Sequence, residues 1–278
     1  SFKIIIFYLS PQVLELSPKS KLLQKYIEGY YFISPDEKSQ LLKYWTFPNN
    51  FFILSVSQNA DIKIDDKNII IRQSQKENIA THFVAKYKKP IQVIYEEPVK
   101  ELTIYFKPLG INQFVKNPEI FFKNAFGADF NPLDDLEDSM KSIFKINDRE
   151  LQRDDLEEYW LSKLELKDFS EIEKIVSDIE SDFRIDDIAV RNNFSRQYLN
   201  RLFTKMVGKS PSEYRKIHRF RNVIGNQKRM KNLTDLSFES SFYDQSHLIK
   251  DFRQLTNVSP NSFFKIVDTE KENVWLFI

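Results

Sequence analysis

Cysteine is absent from the 278-residue chain. That absence excludes disulfides, thiolate metal sites and a cysteine nucleophile, and it suits a reducing compartment, so a cytoplasmic location is the simplest expectation. Histidine is scarce, with three residues in all. His82 stands alone before residue 218, which argues against a front domain built as a cupin-type metal enzyme, because such a site needs several imidazoles and an acid converging on one point. His218 and His247 each stand singly in helical stretches and read as core or surface side chains. A long hydrophobic run is also lacking. The apolar stretch Phe2 to Leu9 is too short to span a bilayer and is followed by no small-residue cleavage site, so it reads as a strand and no membrane association is expected. The neighbouring carboxylates Glu96-Glu97 and Asp134-Asp135 diverge on a strand or a helix and form no acid/base pair. Neither catalysis nor a cofactor or metal is expected.

What is present describes a folded chain. Hydrophobic residues make up 41% and charged residues 29%, values that argue against global disorder, and phenylalanine is abundant at 25. The length favours two domains, each burying its own core. The net charge of +1 conceals a strong asymmetry. Residues 184–267 hold 16 Lys and Arg against 7 Asp and Glu, whereas residues 133–183 hold 7 against 17. A basic C-terminal block suits a polyanion, since each phosphate neutralised by Lys or Arg releases condensed counterions. On charge alone, however, a solvated charged face remains the better reading.

The first 106 residues read as mostly β. Apolar and β-branched runs such as Phe51 to Val56 and Val99 to Phe106 are separated by Asn, Asp and Pro, and several short strands at this spacing predict a small barrel or sandwich. Asp65-Asp66-Lys67-Asn68 predicts a hairpin turn between Ile62–Ile64 and Ile69–Ile71. Leu22, Leu23, Tyr26, Ile27 and Tyr30 recur at helical spacing and predict a helix at about 18–30. After Pro108 the pattern turns helical. Asn147-Asp148-Arg149-Glu150 resembles a capping box opening a helix whose Leu151, Leu156, Trp160, Leu161 and Leu164 would share a face. The acidic helices either pack on the β domain, link the two halves or pair between subunits.

The last third carries an internal repeat. A shift of 49 residues superposes Leu199 on Leu248, Phe203 on Phe252, Ser210 on Ser259 and Pro211 on Pro260. It also matches Arg201 with Lys250, Met206 with Leu255 and Tyr214 with Phe263. Each copy starts with a short polar residue suited to capping a helix, Ser195 or Asp244. The apolar residues that follow form one stripe, leaving a second, polar face free. In the first copy a short helix carrying Ile185, Ile188 and Ala189 precedes a turn at Asn192-Asn193-Phe194, with Asn193 suited to a left-handed conformation. A helix, a tight turn and a second helix with a free polar face is the arrangement that lays a recognition helix in the DNA major groove.

In its motifs the region from about Glu171 to Ile266 resembles the DNA-binding region of the bacterial AraC/XylS family of transcription regulators. These motifs are Ile188-Ala189, Phe194-Ser195-Arg196-Gln197-Tyr198-Leu199-Asn200-Arg201-Leu202-Phe203 and Gly208-Lys209-Ser210-Pro211 in the first unit, and Phe242-Tyr243-Asp244-Gln245-Ser246-His247-Leu248 through Val258-Ser259-Pro260 in the second. Ser241 and Asn257 stand where the family usually has glycine, and Asn at 257 can supply the conformation glycine would have taken. The resemblance implies an α+β protein. Residues 1–165 would form a cupin-like β-barrel with flanking helices that senses an effector or dimerises, and residues 166–278 an all-α domain of two helix-turn-helix units joined by a long helix at roughly 212–230. It also implies base-reading side chains at Arg196, Gln197, Asn200 and Arg201 in the first unit and at Gln245, Ser246, Ile249 and Lys250 in the second. The chemistry agrees, since Arg bridges guanine O6 and N7, Gln and Asn bridge adenine N6 and N7, and Ile can meet a thymine methyl. Solvent exposure or a phosphate contact is the competing reading for about half of these eight, because phosphate and sugar receive at least half of protein–DNA hydrogen bonds. Lys205, Lys209, Arg215, Lys216, Arg253 and Lys265 read as backbone contacts.

The expected function is that of a sequence-specific transcription regulator binding promoter DNA. Its expected partners are double-stranded DNA, RNA polymerase, a small-molecule effector and a second copy of the chain. A non-specific architectural DNA binder shares the charge but has no need of Gln197, Asn200 and Gln245 on free faces. An enzyme with a DNA-targeting module is the third reading, and the resemblance points there to DNA-repair regulators with the same helical unit, whose alkyl transfer uses a cysteine nucleophile that the chain lacks.

Overall fold

The computed structural model describes residues 13–34, 42–226 and 245–266. The expected strand at residues 2–9 lies outside them, as do the second unit's cap Asp244 and the Ser241 position.

Among the described residues the front part holds ten strands in two sheets: β1 (Val13–Leu16), β2 (Ile27–Ile33), β3 (Lys43–Thr46), β4 (Phe52–Gln58), β5 (Ala60–Ile64), β6 (Asn68–Gln73), β7 (Ile79–Val84), β8 (Ile91–Tyr95), β9 (Lys100–Phe106) and β10 (Phe126–Ala128). One sheet runs β1-β2-β9-β4-β7-β10 and the other β3-β8-β6-β5. Neighbours are antiparallel except β6 and β8, which pair in parallel. The expected barrel-like domain is thus two sheets facing each other, with no ring of pairings closing them among the described residues.

The larger sheet is covered on both faces. Tyr31, Ile53, Val84 and Tyr105 point toward Ile69, Ile71, Val93 and Tyr95 of the smaller sheet. Phe32, Leu54, Phe83, Leu102 and Phe106 point the other way, onto helices α1 (Leu136–Phe144) and α2 (Arg149–Ser162). Double coverage explains why β4 and β9 read as continuous apolar runs in place of an alternating pattern. In the predicted hairpin, the Asp65 carboxylate accepts from the Lys67 and Asn68 amides at 2.8 and 2.9 Å.

Two expectations need correction. The helix at 18–30 shrinks to one 3-10 turn, Leu23–Lys25, and Ile27 already starts β2. Pairing with β9 from Ile27 to Ile33 satisfies that backbone, and the Tyr30-Tyr31-Phe32-Ile33 run suits a pleated surface better than a helix. Asp148 caps α2 by accepting from the Glu150 and Leu151 amides, but Leu151 and Leu161 are exposed. The buried stripe is instead Gln152, Leu156, Tyr159 and Trp160. Gln152 is drawn in because it donates to the Ile143 carbonyl, and Glu157 because it accepts from the Lys19 and Ser20 amides. The acidic helices therefore divide their work. Helices α1 and α2 cover the larger sheet, whereas α3 (Ser170–Glu180), beyond the irregular segment at 163–169, belongs to the C-terminal part.

That part continues with α4 (Ile185–Arg191), α5 (Arg196–Val207), α6 (Pro211–Asn226), α7 (Gln245–Thr256) and α8 (Pro260–Ile266). It has two cores. Ile172, Ile175, Ile179, Ile188, Leu199, Phe203 and Tyr214 build the first. Ile217, Phe220, Val223, Leu248, Phe252, Leu255 and Phe263 build the second. Helix α6 joins them, giving Tyr214 to one and the next three turns to the other.

Candidate nucleic-acid interface

The 49-residue repeat has a physical content at each matched position. Leu199 and Phe203 are fully buried in the first core, and Leu248 and Phe252 hold the equivalent places in the second. Gly208 and Asn257 both take left-handed backbone, with φ of 81° and 64°, and their amides close helices α5 and α7 on Thr204 and Arg253. Ser210 opens α6 through a reciprocal box, its hydroxyl accepting from the Glu213 amide while Glu213 accepts from the Ser210 amide. Ser259 accepts from the Ser262 amide in the same way. Each unit thus has a stop signal after its second helix and a start signal for the helix that braces it.

The first turn is built as its sequence predicts. Asn193 is left-handed at φ 54°, the Phe194 amide returns to the Ala189 carbonyl, and the Ser195 hydroxyl accepts from the Tyr198 amide at 3.1 Å. With Leu199 and Phe203 pointing inward, Arg196, Gln197, Asn200, Arg201 and Lys205 are all exposed. In the second unit Gln245, Ser246, Lys250 and Arg253 are exposed. Ile249 is half-buried and packs on the second core, so only part of its side chain remains for a ligand. Lys265 is exposed.

Three expected backbone contacts are placed differently. Lys209 is buried, and its Nζ donates to the Ala85 carbonyl of the front domain at 2.6 Å, so in this arrangement it faces no phosphate. Arg215 donates to the Phe183 carbonyl and lies beside Asp182, while Lys216 bonds Gln254 at 2.7 Å and sits 3.6 Å from buried Asp251. Lys209 thus ties the first unit to the front domain, while Arg215 and Lys216 tie α6 to its neighbours in the C-terminal part. From the sequence they could not be told from solvent-facing charges, because their partners lie more than thirty residues away. Two features were missed. Tyr198 is exposed beside the four first-unit side chains, its ring edge on Phe194, and its place three residues after the cap was the available signal. Asp186 bonds Arg196 across the turn, a pairing no local spacing announces.

Both units are completed by the front domain. Leu109, with a left-handed φ of 65°, buries its side chain in the first core, and Phe47 does the same in the second. Hydrogen bonds reinforce each anchor. Asn112 donates to the Met206 carbonyl and Asn50 to the Tyr214 carbonyl, and Arg221 donates to the Phe47 and Pro48 carbonyls. Gly208 presses against the Phe122 ring, so an added Cβ would meet it at 2.9 Å in a backbone conformation already unfavourable to side chains.

Lys209 makes this contact sensitive to pH. Burial pushes its ammonium down to about 7, against the pull of the Glu213 carboxylate and with help from neighbouring Lys86. Lys88 in turn pairs with Glu213. The unfolded chain keeps a lysine protonated up to ~10.4, so between about 7 and that value the unfolded state binds more protons and stability rises with pH. Urea unfolding of the full chain should therefore show increasing stability from pH ~7 to ~9.5. Lys209→Met should flatten that rise, and an unchanged slope in the variant would contradict this account.

His218 on α6 lies 3.7 Å from Glu180 of α3, and His247 lies 3.4 Å from Asp251 one turn on in α7. Among the described residues no group of three or more His, Cys, Asp or Glu side chains converges on a metal position. No helix among them is long and apolar enough to cross a membrane.

Residues 188–266 match the family model described as a helix-turn-helix domain. Among solved structures the chain is similar to ToxT from Vibrio cholerae in a form bound to an unsaturated fatty acid, with 15% identity over 94% of this chain and 98% of that one and a TM-score of 0.45. It is also similar to the P21 crystal form of ToxT, with 15% identity over 82% and 98% and a TM-score of 0.45. An AraC-type DNA-binding regulator from Chromobacterium violaceum shows 25% identity over 33% of this chain and 83% of that one, with a TM-score of 0.29. No match was found among the curated proteins. The matched segment takes in both copies of the 49-residue repeat, so the C-terminal part of this chain carries a helix-turn-helix domain.

Proposed function

We propose that the chain is a sequence-specific transcription regulator whose two units, on α5 and α7, enter successive major-groove segments of promoter DNA. The observation that carries this reading is the duplicated unit itself. Two helices 49 residues apart each bury one face in a separate core and leave a face with guanidinium, amide or ammonium groups exposed. The exposed amides of Gln197, Asn200 and Gln245 favour base reading over a purely electrostatic grip, since adenine takes an amide bidentately whereas a phosphate needs only a cation. Arg196, Gln197, Asn200, Arg201, Gln245, Ser246, Lys250 and the exposed part of Ile249 are the proposed base-facing set. Lys205 and Arg253 are the proposed phosphate contacts.

Residues 1–165 act as the regulatory domain and 166–278 as the DNA-binding domain, in a cytoplasmic protein that recruits or contacts RNA polymerase. Control by an effector or by dimerisation is supported by the anchors Leu109 and Phe47, through which a change in the front domain reaches both units. A cavity of about 300 Å³ at this junction, walled by Phe51, Pro108, Tyr214, His218 and Ile224 among others, offers room for a small molecule.

The test is binding of the full chain to the region upstream of its own coding sequence against scrambled DNA of equal length, at physiological salt. Affinity should differ by ~10³-fold or more, the usual margin of a specific site over non-specific DNA. Equal affinities would point to an architectural binder and overturn the reading.

A further inference from the structure

Asp186 lies in the first turn of α4, and Arg196 is the first residue of α5, across the turn from it. Arg196 Nη1 donates to both carboxylate oxygens of Asp186, at 3.0 and 3.2 Å. The side chains are 64% and 50% exposed, and an exposed ion pair of this kind adds little to stability because solvent screens it. Its effect lies in geometry. A free arginine at a helix start samples many rotamers, and each must be frozen out before its planar fork can meet a base. Here the turn presents a carboxylate that holds one nitrogen and leaves Nη2 and Nε pointing away from it.

We infer that Asp186 is a specificity-determining positioning residue, which holds Arg196 so that its free Nη2 and Nε edge reads a guanine through O6 and N7. The inference rests on the proposed major-groove reading and adds a residue to it. The pairing also sorts Arg196 between its two possible partners. A phosphate would compete with the carboxylate for the guanidinium and be repelled by it, whereas guanine, which is neutral and offers two acceptors in one plane, accepts the edge the carboxylate leaves free. When the duplex expels water from the turn, the attraction between Asp186 and Arg196 strengthens and the fork stays in place. The cost is a negative charge brought close to the phosphate backbone. Asp186 therefore has two opposite effects, raising discrimination at one base pair while lowering affinity for DNA in general.

The experiment uses the full chain, with competition binding against operator duplexes in which each base pair is changed in turn. Asp186→Ala should bind scrambled DNA as tightly as the parent or a few-fold tighter. At one G·C pair its discrimination should fall about tenfold, as for a weakened bidentate contact. Arg196→Ala should lose preference at that same pair, the double variant should lose no more than Arg196→Ala alone, and Asp186→Glu should recover part of the preference. If Arg196→Ala loses a preference that Asp186→Ala keeps, or if the two losses add, the positioning role is wrong while the major-groove reading stands. If Arg196→Ala changes preference nowhere, Arg196 reads no base and the inference falls. Parent protein that binds operator and scrambled DNA equally would instead bring down the major-groove reading on which the inference rests. Because both residues are on the surface, circular dichroism of each variant should match the parent.

Discussion

Phe47→Ala should destabilise the full chain by ~3–5 kcal/mol, the range for deleting a buried aromatic side chain. Phe47 precedes β4 in the front domain, yet its ring lies 5.1 Å from that of Phe263 at 78°, an edge-to-face contact inside the second unit's core. It is 2% exposed. The cavity left by the substitution would open among Ile217, Phe220, Leu248 and Phe263, where helices α6, α7 and α8 meet and cannot easily collapse inward. The backbone at Phe47 is fixed as well. Its carbonyl accepts from the Tyr87 hydroxyl and from Arg221, and Tyr87 is held in turn by Thr46 and Asn49. Relaxation of the segment toward the hole would break those bonds. Urea unfolding followed by tryptophan fluorescence and circular dichroism should show a lower midpoint, with the two signals separating as the second unit loosens ahead of the β domain. Phe47→Leu, which keeps most of the volume, should cost much less. A loss below ~1 kcal/mol for Phe47→Ala would mean that the front domain does not complete this core.

Arg201→Ala should cost ~1–3 kcal/mol of specific affinity and relax preference at one base pair. Arg201 is exposed on the free face of α5, one turn beyond Gln197, while Leu199 and Phe203 on either side anchor the helix in its core. The guanidinium is thus carried by a fixed backbone, which limits the ordering it must undergo on binding. Lys205, exposed on the last turn of the same helix, provides the contrast. Lys205→Ala should weaken all sequences about equally and lower the salt slope by roughly 1, because a phosphate contact releases about one counterion. Both variants can be titrated against operator and scrambled duplexes at several salt concentrations. If Arg201→Ala left base preference unchanged while Lys205→Ala altered it, the free face of α5 would be turned differently from the arrangement proposed here.

The helix-turn-helix units were legible because their signals are local. Ser195, Asn193, Gly208, Ser210 and Asn257 act on backbone groups within a few residues of themselves, so spacing along the chain stands in for spacing in the fold. The hairpin at Asp65 and the cap at Asp148 were readable for the same reason. The early helix failed because Leu23, Ile27 and Tyr30 share a core under either geometry, and periodicity alone could not show that β9 would supply the hydrogen bonds. The apolar face of α2 failed because Gln152 and Glu157 are buried by partners in other elements.

The sequence by itself determined the duplicated unit, the order of β before α, and which residues of α5 and of the start of α7 stay out of the core. Only the tertiary structure decided which cations are free. Lys205 and Lys209 are four residues apart in one motif, yet the first is exposed and the second is buried against the Ala85 carbonyl, more than a hundred residues away in the chain. A charged side chain is placed by the partner that offsets its desolvation. When that partner comes from another domain, no pattern within the segment can announce it.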